Sequence, residues 1–447
     1  MNANIVKTLN YIKRNGPIEA LYAIRERLAE RKLPKYEYRK MDHETRLEQL
    51  SGGIAYNVGF SILVPAYETP VEYMKGLIDS VEAQTYANWE LIIADASLTD
   101  AVKNTVSEYS DARIRYISLG ENKGISENTN SGLTACTKEY VGLLDHDDLL
   151  TEDALFSMAK AVDEGRKNGI DIQMIYSDED KTNAENTLRF EPNIKPEFNY
   201  DLLLSNNYIC HFLVTNTRLA QKIGFRSEYD GAQDHDFILR CVKDIMDREM
   251  DPKVYIYHID RVLYHWRCHD KSTALNPKSK SYAYDAGRRA VEDHLKSRKI
   301  EAKVTDSAHV GFFDIEYSDG KYSDGILSQR PEVAAIGCRV IGKGGLVTDG
   351  VFDENMQVMF KGLDKHNSGG YLHRAHCMME VFAVNINYMI PSDEGMAILS
   401  EMMQSVTEEE KEDIFLLSKK YADLVHEKEM IFVYNPRVQM KELKKHD

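Results

Sequence analysis

Hydrophobic and polar positions along the chain follow two rhythms, and the change between them falls near residue 59. Before it, Ile5, Leu9 and Ile12 share one helical face, Gly16-Pro17 interrupts, and Leu21, Ile24 and Leu28 resume it, which predicts short helices over 1–58. From Phe60 onward, short apolar runs alternate with helical spacing. Phe60–Val64 predicts a short buried strand, and Leu91–Ala94, Ile114–Ile117 and Val141–Leu144 predict further strands. Thr69-Pro70 predicts an N-cap and first helical position ahead of Met74, Leu77, Ile78 and Val81, and Ser126–Thr137 predicts another helix. Thr151 predicts the cap of a third, with Glu152 and Asp153 in its first turn and Gly165 at its end.

Strand–helix alternation of this kind predicts an α/β fold with a doubly wound, mostly parallel sheet. Ligands of such sheets sit beyond the carboxyl ends of the strands. Tyr67, Glu68, Asp95, Asp145 and Asp147 all fall at such ends. In Asp145-His146-Asp147-Asp148, carboxylates at i and i+2 can turn inward together and hold a hard divalent cation while leaving positions for phosphate oxygens. A solvated turn or a helix N-terminal acid cluster would use the same residues, so the motif alone leaves both readings open.

Composition narrows the classes. The 447 residues are 43% hydrophobic and 29% charged, ordinary for a globular chain with a sizeable core. No apolar run approaches the ~20 residues that span a bilayer, and Lys7 and Asn10 interrupt what would be a signal peptide. Six scattered cysteines without a C-x-x-C pair fit reduced thiols in a cytoplasmic protein. A net charge of −16 argues against nucleic acid as a partner. Against that balance, the first 40 residues hold ten Lys and Arg and four Glu. Such a basic helix is a candidate peripheral contact with an anionic membrane, or a solvated face.

The stretch 60–275 resembles family 2 glycosyltransferases of the GT-A fold, in their bacterial cell-surface polysaccharide branch. The matching pieces are Ile62-Leu63-Val64-Pro65-Ala66-Tyr67-Glu68, Gln84-Thr85-Tyr86-Ala87-Asn88-Trp89, Asn122-Lys123-Gly124-Ile125-Ser126 and Leu144-Asp145-His146-Asp147-Asp148. Tyr176-Ser177-Asp178-Glu179-Asp180-Lys181, Lys195-Pro196, Asp201–Tyr208, Gly231-Ala232-Gln233-Asp234-His235-Asp236 and Tyr264-His265-Trp266-Arg267-Cys268-His269 follow in the family's order.

The resemblance implies a metal-dependent inverting transferase using Mn2+ or Mg2+. Its donor would be a nucleoside-diphosphate sugar, UDP- or dTDP-linked, and its acceptor a glycan or lipid-linked hydroxyl at the cytoplasmic face. Pro65, Tyr67, Glu68, Gly124 and Asp145 then touch the donor nucleotide. Asp95 reads the base, in a segment one acid short of the usual adjacent pair. Asp147, with Asp145 and His269, holds the metal, and Arg267, His269 and Ser272 close over the diphosphate. Asp234 becomes the catalytic base, in a motif that usually reads Glu-Asp and here reads Gln233-Asp234. A carboxylate is needed there because the attacking hydroxyl must shed its proton. Asp178, Glu179, Asp180, Gln233 and His265 are candidate acceptor or sugar contacts. For His265 a packed core histidine is the alternative, for Asp234 a helix cap, and for Asp178-Glu179-Asp180 a solvated turn.

The implied organisation is an N-terminal helical segment over 1–58, a GT-A domain over 59–325 and a smaller α/β region over 326–447. In that last region Ala335–Val340, Thr348–Phe352 and Gly369-Gly370-Tyr371 resemble the second half of another such domain, as a remnant without its own D-x-D. Gly342-Lys343-Gly344-Gly345 lacks P-loop spacing and predicts a hairpin turn. Met396–Lys428 predicts amphipathic helix broken over Thr407–Asp413. Two other classes remain as rivals. A sugar nucleotidyltransferase would want a glycine-rich basic loop that Pro65–Pro70 lacks; a non-catalytic glycan- or nucleotide-sugar-binding scaffold would be a transferase in decay.

Overall fold

The computed structural model describes residues 16–17, 36–269, 281–318, 325–364 and 369–443. The basic run of the first 40 residues and Ser272 therefore fall largely or wholly outside the described residues. The chain forms two compact units, one of Tyr36–Phe198 with Asn207–Arg298, the other including Asn199–Asn206 and Lys299 onward.

In the first unit, β1 (Phe60–Ala66), β2 (Trp89–Asp95), β3 (Ile114–Ser118) and β4 (Tyr140–Leu143) lie in parallel, in the order β3-β2-β1-β4. All seven residues of β1 and of β2 are buried, as expected of central parallel strands covered on both faces. The sheet continues through β5 (Leu149–Leu150), β6 (Met174–Asn183), β7 (Arg189–Asn193), β8 (Leu213–Asn216) and β9 (Ile256–Cys268), in the order β4-β8-β6-β9-β5 with β7 beside β6. There β8 runs antiparallel to β4 and β6, while β6 and β9 are parallel.

Helix Val71–Glu82 buries Met74, Leu77, Ile78 and Val81, the four positions its spacing marks. Its N-cap is Pro70, one residue later than expected, because the Thr69 hydroxyl is 2.8 Å from His146 Nδ1 instead. Helix Ala154–Lys167 likewise starts after Asp153, with Thr151 Oγ1 donating to the Asp153 carboxylate at 2.7 Å. It runs past Gly165. A Cβ there would stand 2.8 Å from Ile172, so this glycine serves close packing and does not end the helix. Helix Ile125–Leu133 lies against β1 and β2, where a Cβ on Gly132 would meet Leu63 at 2.4 Å and Ala94 at 2.9 Å.

In the second unit, Val333–Ile341 pairs in parallel with Ile431–Lys441 and antiparallel with Val347–Asp349 and Met389–Pro391. Gly342–Gly345 makes the expected turn, Gly342 N donating to Leu346 O at 2.9 Å. Helices Asp393–Ser405 and Ile414–Glu427 flank the break foreseen at 407–413. The separate pair Ala302–Asp306 and Phe313–Tyr317 is antiparallel. No described helix is long and apolar enough to cross a membrane.

Gly132→Val should overpack the seam between helix Ile125–Leu133 and the sheet. We expect a loss of about 1–3 kcal/mol, read as a lowered urea midpoint by far-ultraviolet circular dichroism.

Candidate functional site

The carboxyl ends of β1, β2 and β4 are adjacent, with Ala66 opposite Asp95 and Leu63 opposite Leu143. Each strand therefore delivers its terminal polar residues to one edge. Pro65 lies inside the buried run, which ends at Ala66, and Tyr67 is exposed. Glu68 takes a left-handed backbone (φ 48°) and accepts from Leu98 N at 2.7 Å, Thr99 N at 3.2 Å and Thr99 Oγ1 at 2.8 Å. Asp95, 2% exposed, accepts from Ser97 N and Oγ and, through its other oxygen, from the Tyr116 hydroxyl at 2.9 Å. Both acids thus shape the 95–99 loop.

After β4 the chain turns at Asp145–Asp148, closed by Asp148 N donating to Asp145 O at 3.1 Å. The turn is pinned from below by Asp148, which is fully buried and accepts from the Tyr264 hydroxyl at 2.5 Å and Arg267 N at 2.7 Å. Burial, with the Asp147 and Asp145 charges beside it, pushes the Asp148 carboxyl well above the usual carboxylate range. Arg267 is buried as well. Its Nε donates to Asp147 O and its Nη1 to Ala184 O, both at 2.6 Å, and its guanidinium lies 4.6 Å from the Tyr73 ring centroid. In this arrangement its fork braces the turn from the protein side. Asp147 Oδ2 lies 2.8 Å from His269 Nε2, so residues 122 positions apart meet at one point.

Strands β6 and β9 sort the other candidates by face. Neighbours in register point the same way. Asp180 pairs with His265, their Oδ1 and Nδ1 2.5 Å apart, and accepts from the Tyr36 hydroxyl at 2.9 Å on its other oxygen. Burial, partly offset by Asp180, lowers the His265 pKa. Asp178 is buried against His258 Nε2 (2.9 Å) and Lys195 N (2.8 Å). Glu179 points to the opposite face with Tyr264, where its carboxylate meets Lys195 Nζ at 3.3 Å and His211 Nδ1 at 3.4 Å. Burial pushes Glu179 up, but the Lys195 ammonium and His211 outweigh it and hold the carboxyl down at about 2. His211 stacks on Tyr264 with centroids 5.0 Å apart, and its Nε2 lies 3.6 Å from Asp145 Oδ2.

Gln233 and Asp234 open helix Gln233–Asp247. The loop before it is anchored by Asp230, which accepts from Ser126 Oγ at 2.5 Å. Gly124 (φ 93°) leaves room for that carboxylate, since a Cβ would stand 2.5 Å from Asp230 Oδ2. Gln233 Oε1 accepts from Gly231 N at 2.8 Å, and Asp234 accepts from His235 N at 3.0 Å and Asn207 Nδ2 at 3.1 Å. Asn207 and His211 therefore touch Asp234 and Asp145 respectively, and four residue steps cap their Cα separation at about 14 Å. Among the described residues no three His, Cys, Asp or Glu side chains converge as a preformed metal cage. The oxygen-and-imidazole pair Asp147–His269, with Asp145 in the same turn, is a partial set of the kind phosphate oxygens and water complete.

Asp148, Tyr264, Lys195 and Asn207 stand in the sequence only as motif members without a role, and His211 stands in none of the motifs. For His211 a signal existed, a lone polar residue within the apolar run Ile209–Val214.

Residues 61–224 match the family model described as glycosyl transferase family 2. The chain is 39% identical over 254 residues to uncharacterized protein y4gI of Sinorhizobium fredii, covering 56% of this chain and 27% of that one. It is 32% identical over 256 residues to O-antigen biosynthesis protein RfbC of Myxococcus xanthus, covering 56% and 19%. The chain thus spans under a third of the length of these curated relatives. The solved structure of S. aureus TarS 1-349 in complex with UDP-GlcNAc is similar at a TM-score of 0.41 and 17% identity, over 53% of this chain and 66% of that one.

Lys195→Met should leave Glu179 buried without its cation and cost about 3–5 kcal/mol at neutral pH. Because the native Glu179 pKa is depressed, its stabilisation is present above the ordinary carboxylate range and lost as pH falls toward 2. The gap in melting temperature between wild type and variant should therefore be widest above about pH 5 and narrow on acidification. A gap that stays constant from pH 7 to pH 3 would remove Glu179 as the reason for that lysine.

Proposed function

We propose that this chain, whose residues 61–224 match the glycosyl transferase family 2 model, is an inverting glycosyltransferase acting in cell-surface polysaccharide assembly. It moves a sugar from a nucleoside-diphosphate donor to an acceptor hydroxyl. The observation that supports this best is the bridge just described: the segment from Asn207 to His211 contacts Asp234 at one end and Asp145 of the Asp145–Asp147 pair at the other. A single displacement needs a base on one side of the transferred sugar and a diphosphate-holding turn on the other, and this segment touches the candidate for each.

In this reading Asp145, Asp147 and His269 hold Mn2+ or Mg2+, which when bound offsets charge on the departing diphosphate. Asp234 accepts the proton of the acceptor hydroxyl as that oxygen closes on the anomeric carbon. It stands in the first turn of helix Gln233–Asp247. Gln233, where the family pattern carries a second acid, keeps a like charge away from it. Pro65, Tyr67, Glu68, Asp95 and Gly124 shape the nucleotide side, for which UDP- or dTDP-linked donors are favoured. Glu179 is the one of the three acids Asp178, Glu179 and Asp180 that faces Asp145 through His211, and so the one left as a sugar-side candidate. The acceptor is a glycan or lipid-linked hydroxyl at the cytoplasmic membrane face, with residues 326–447 a truncated second transferase half.

Incubation with a panel of nucleotide sugars and Mn2+, read by product mass, tests the assignment. Asp234→Asn should lower turnover about 10²–10⁴-fold while leaving UDP binding intact. Lost nucleotide affinity in that variant would reassign the residue. Asp147→Ala should abolish metal-dependent nucleotide binding by calorimetry, and an unchanged metal titration would take Asp147 out of the site.

A further inference from the structure

Two arginines are buried among the described residues of the second unit, and they differ in one respect. Arg330, 3% exposed, is paired with Asp201 at 2.5 Å and Glu332 at 2.8 Å. Arg339, on Val333–Ile341 and 5% exposed, has one hydrogen-bond partner, the Pro436 carbonyl at 3.1 Å from Nη2. Its Nε and Nη1 are buried with no partner, and no described carboxylate stands in ion-pair reach. An uncompensated guanidinium at this depth is costly, and buried charges in folded proteins are normally paired.

A cluster of imidazoles lies beside Arg339. His376 Nδ1 is 2.8 Å from His309 Nε2, and His309 stacks on His373 with centroids 3.7 Å apart and planes at 13°. Burial first, then the Arg339 charge, holds His376 down at about 4. His373 Nδ1 is buried without a partner, and Gly369 leaves open the place where a Cβ would stand 2.9 Å from it. A histidine trio suggests zinc. Here, however, two of the ring nitrogens bond each other, the fixed charge of Arg339 repels a dication, and no group among the described residues is arranged to hold a metal.

The geometry points to an oxyanion site of the phosphate class in the C-terminal unit, with Arg339 as its guanidinium fork and His376 as the adjacent imidazole. A phosphate oxygen pair on one edge of the fork supplies the missing counter-charge through charge-assisted hydrogen bonds. The same anion favours a proton on His376, replacing repulsion from Arg339 with attraction. This site does not depend on the transferase reading.

The test uses the full chain in phosphate-free buffer, titrated with inorganic phosphate against chloride of matched ionic strength. Wild type should show a saturable rise in melting temperature of about 2–4 °C at saturation. Arg339→Met should melt higher than wild type without phosphate, because it removes an unpaired buried charge, and should show no phosphate response. The response to UDP with Mn2+ should persist in that variant, which separates this site from the donor site. A wild type that responds to phosphate no more than to chloride, or a variant that responds equally, overturns the proposal. Should Arg339→Met fail to fold, the His376 Cε1–H resonance of wild type decides: its titration midpoint should rise by about one unit or more with phosphate, and an unmoved midpoint overturns the site. A glycerol phosphate arm names the source, since either ligand saturating supports the oxyanion and the tighter one identifies ester or free ion.

Discussion

The buried carboxylate of Asp148 joins two stretches of chain more than a hundred residues apart. One oxygen takes the Tyr264 hydroxyl and the other the Arg267 amide, so the turn after β4 is fastened to β9 at two points. The candidate site residues around it inherit that registration. Asp145 and Asp147 leave the turn in fixed directions, and β9 runs on three residues past Tyr264's neighbours to bring His269 against Asp147. Arg267, which a family pattern assigns to phosphate, here gives one bond each from Nε and Nη1 to the backbone of the turn and of Ala184. The acid turn is thus a built element of the unit's core as well as its chemically loaded edge.

Strand alternation then divides the acids of β6. Asp178 and Asp180 are sequestered with His258 and His265, whereas Glu179 shares a face with Tyr264 and reaches His211. The Lys195 ammonium, fully buried, joins this face by bonding Glu179 and the carbonyls of Ile209 and His211. A single buried cation therefore holds the segment that contacts both Asp145 and Asp234.

Much of the first unit was legible. The strands at Phe60, Trp89 and Tyr140, and the apolar face of Val71–Glu82, follow from periodicity because burial leaves little choice of residue, whereas the edge strand at Ile114 is only partly buried. Boundaries were less so. Thr69 and Thr151 look like caps in isolation, but each hydroxyl had a competing partner, His146 and Asp153, supplied by other parts of the fold. Gly165 reads as a helix end, yet its smallness is required by Ile172 packing against it.

What the chain by itself determined is which carboxylates stand at strand ends, because a run of apolar residues closed by Asp is written in local order. What only the tertiary structure decided is which of those carboxylates are engaged and with whom. Glu68 and Asp95 turn to their own loop, Asp148 to β9, Asp147 to His269, and Asp234 to Asn207. Those partners lie as little as two and as much as 122 residues away, and a hydrogen bond depends on distance in space, for which position along the chain carries no direct measure.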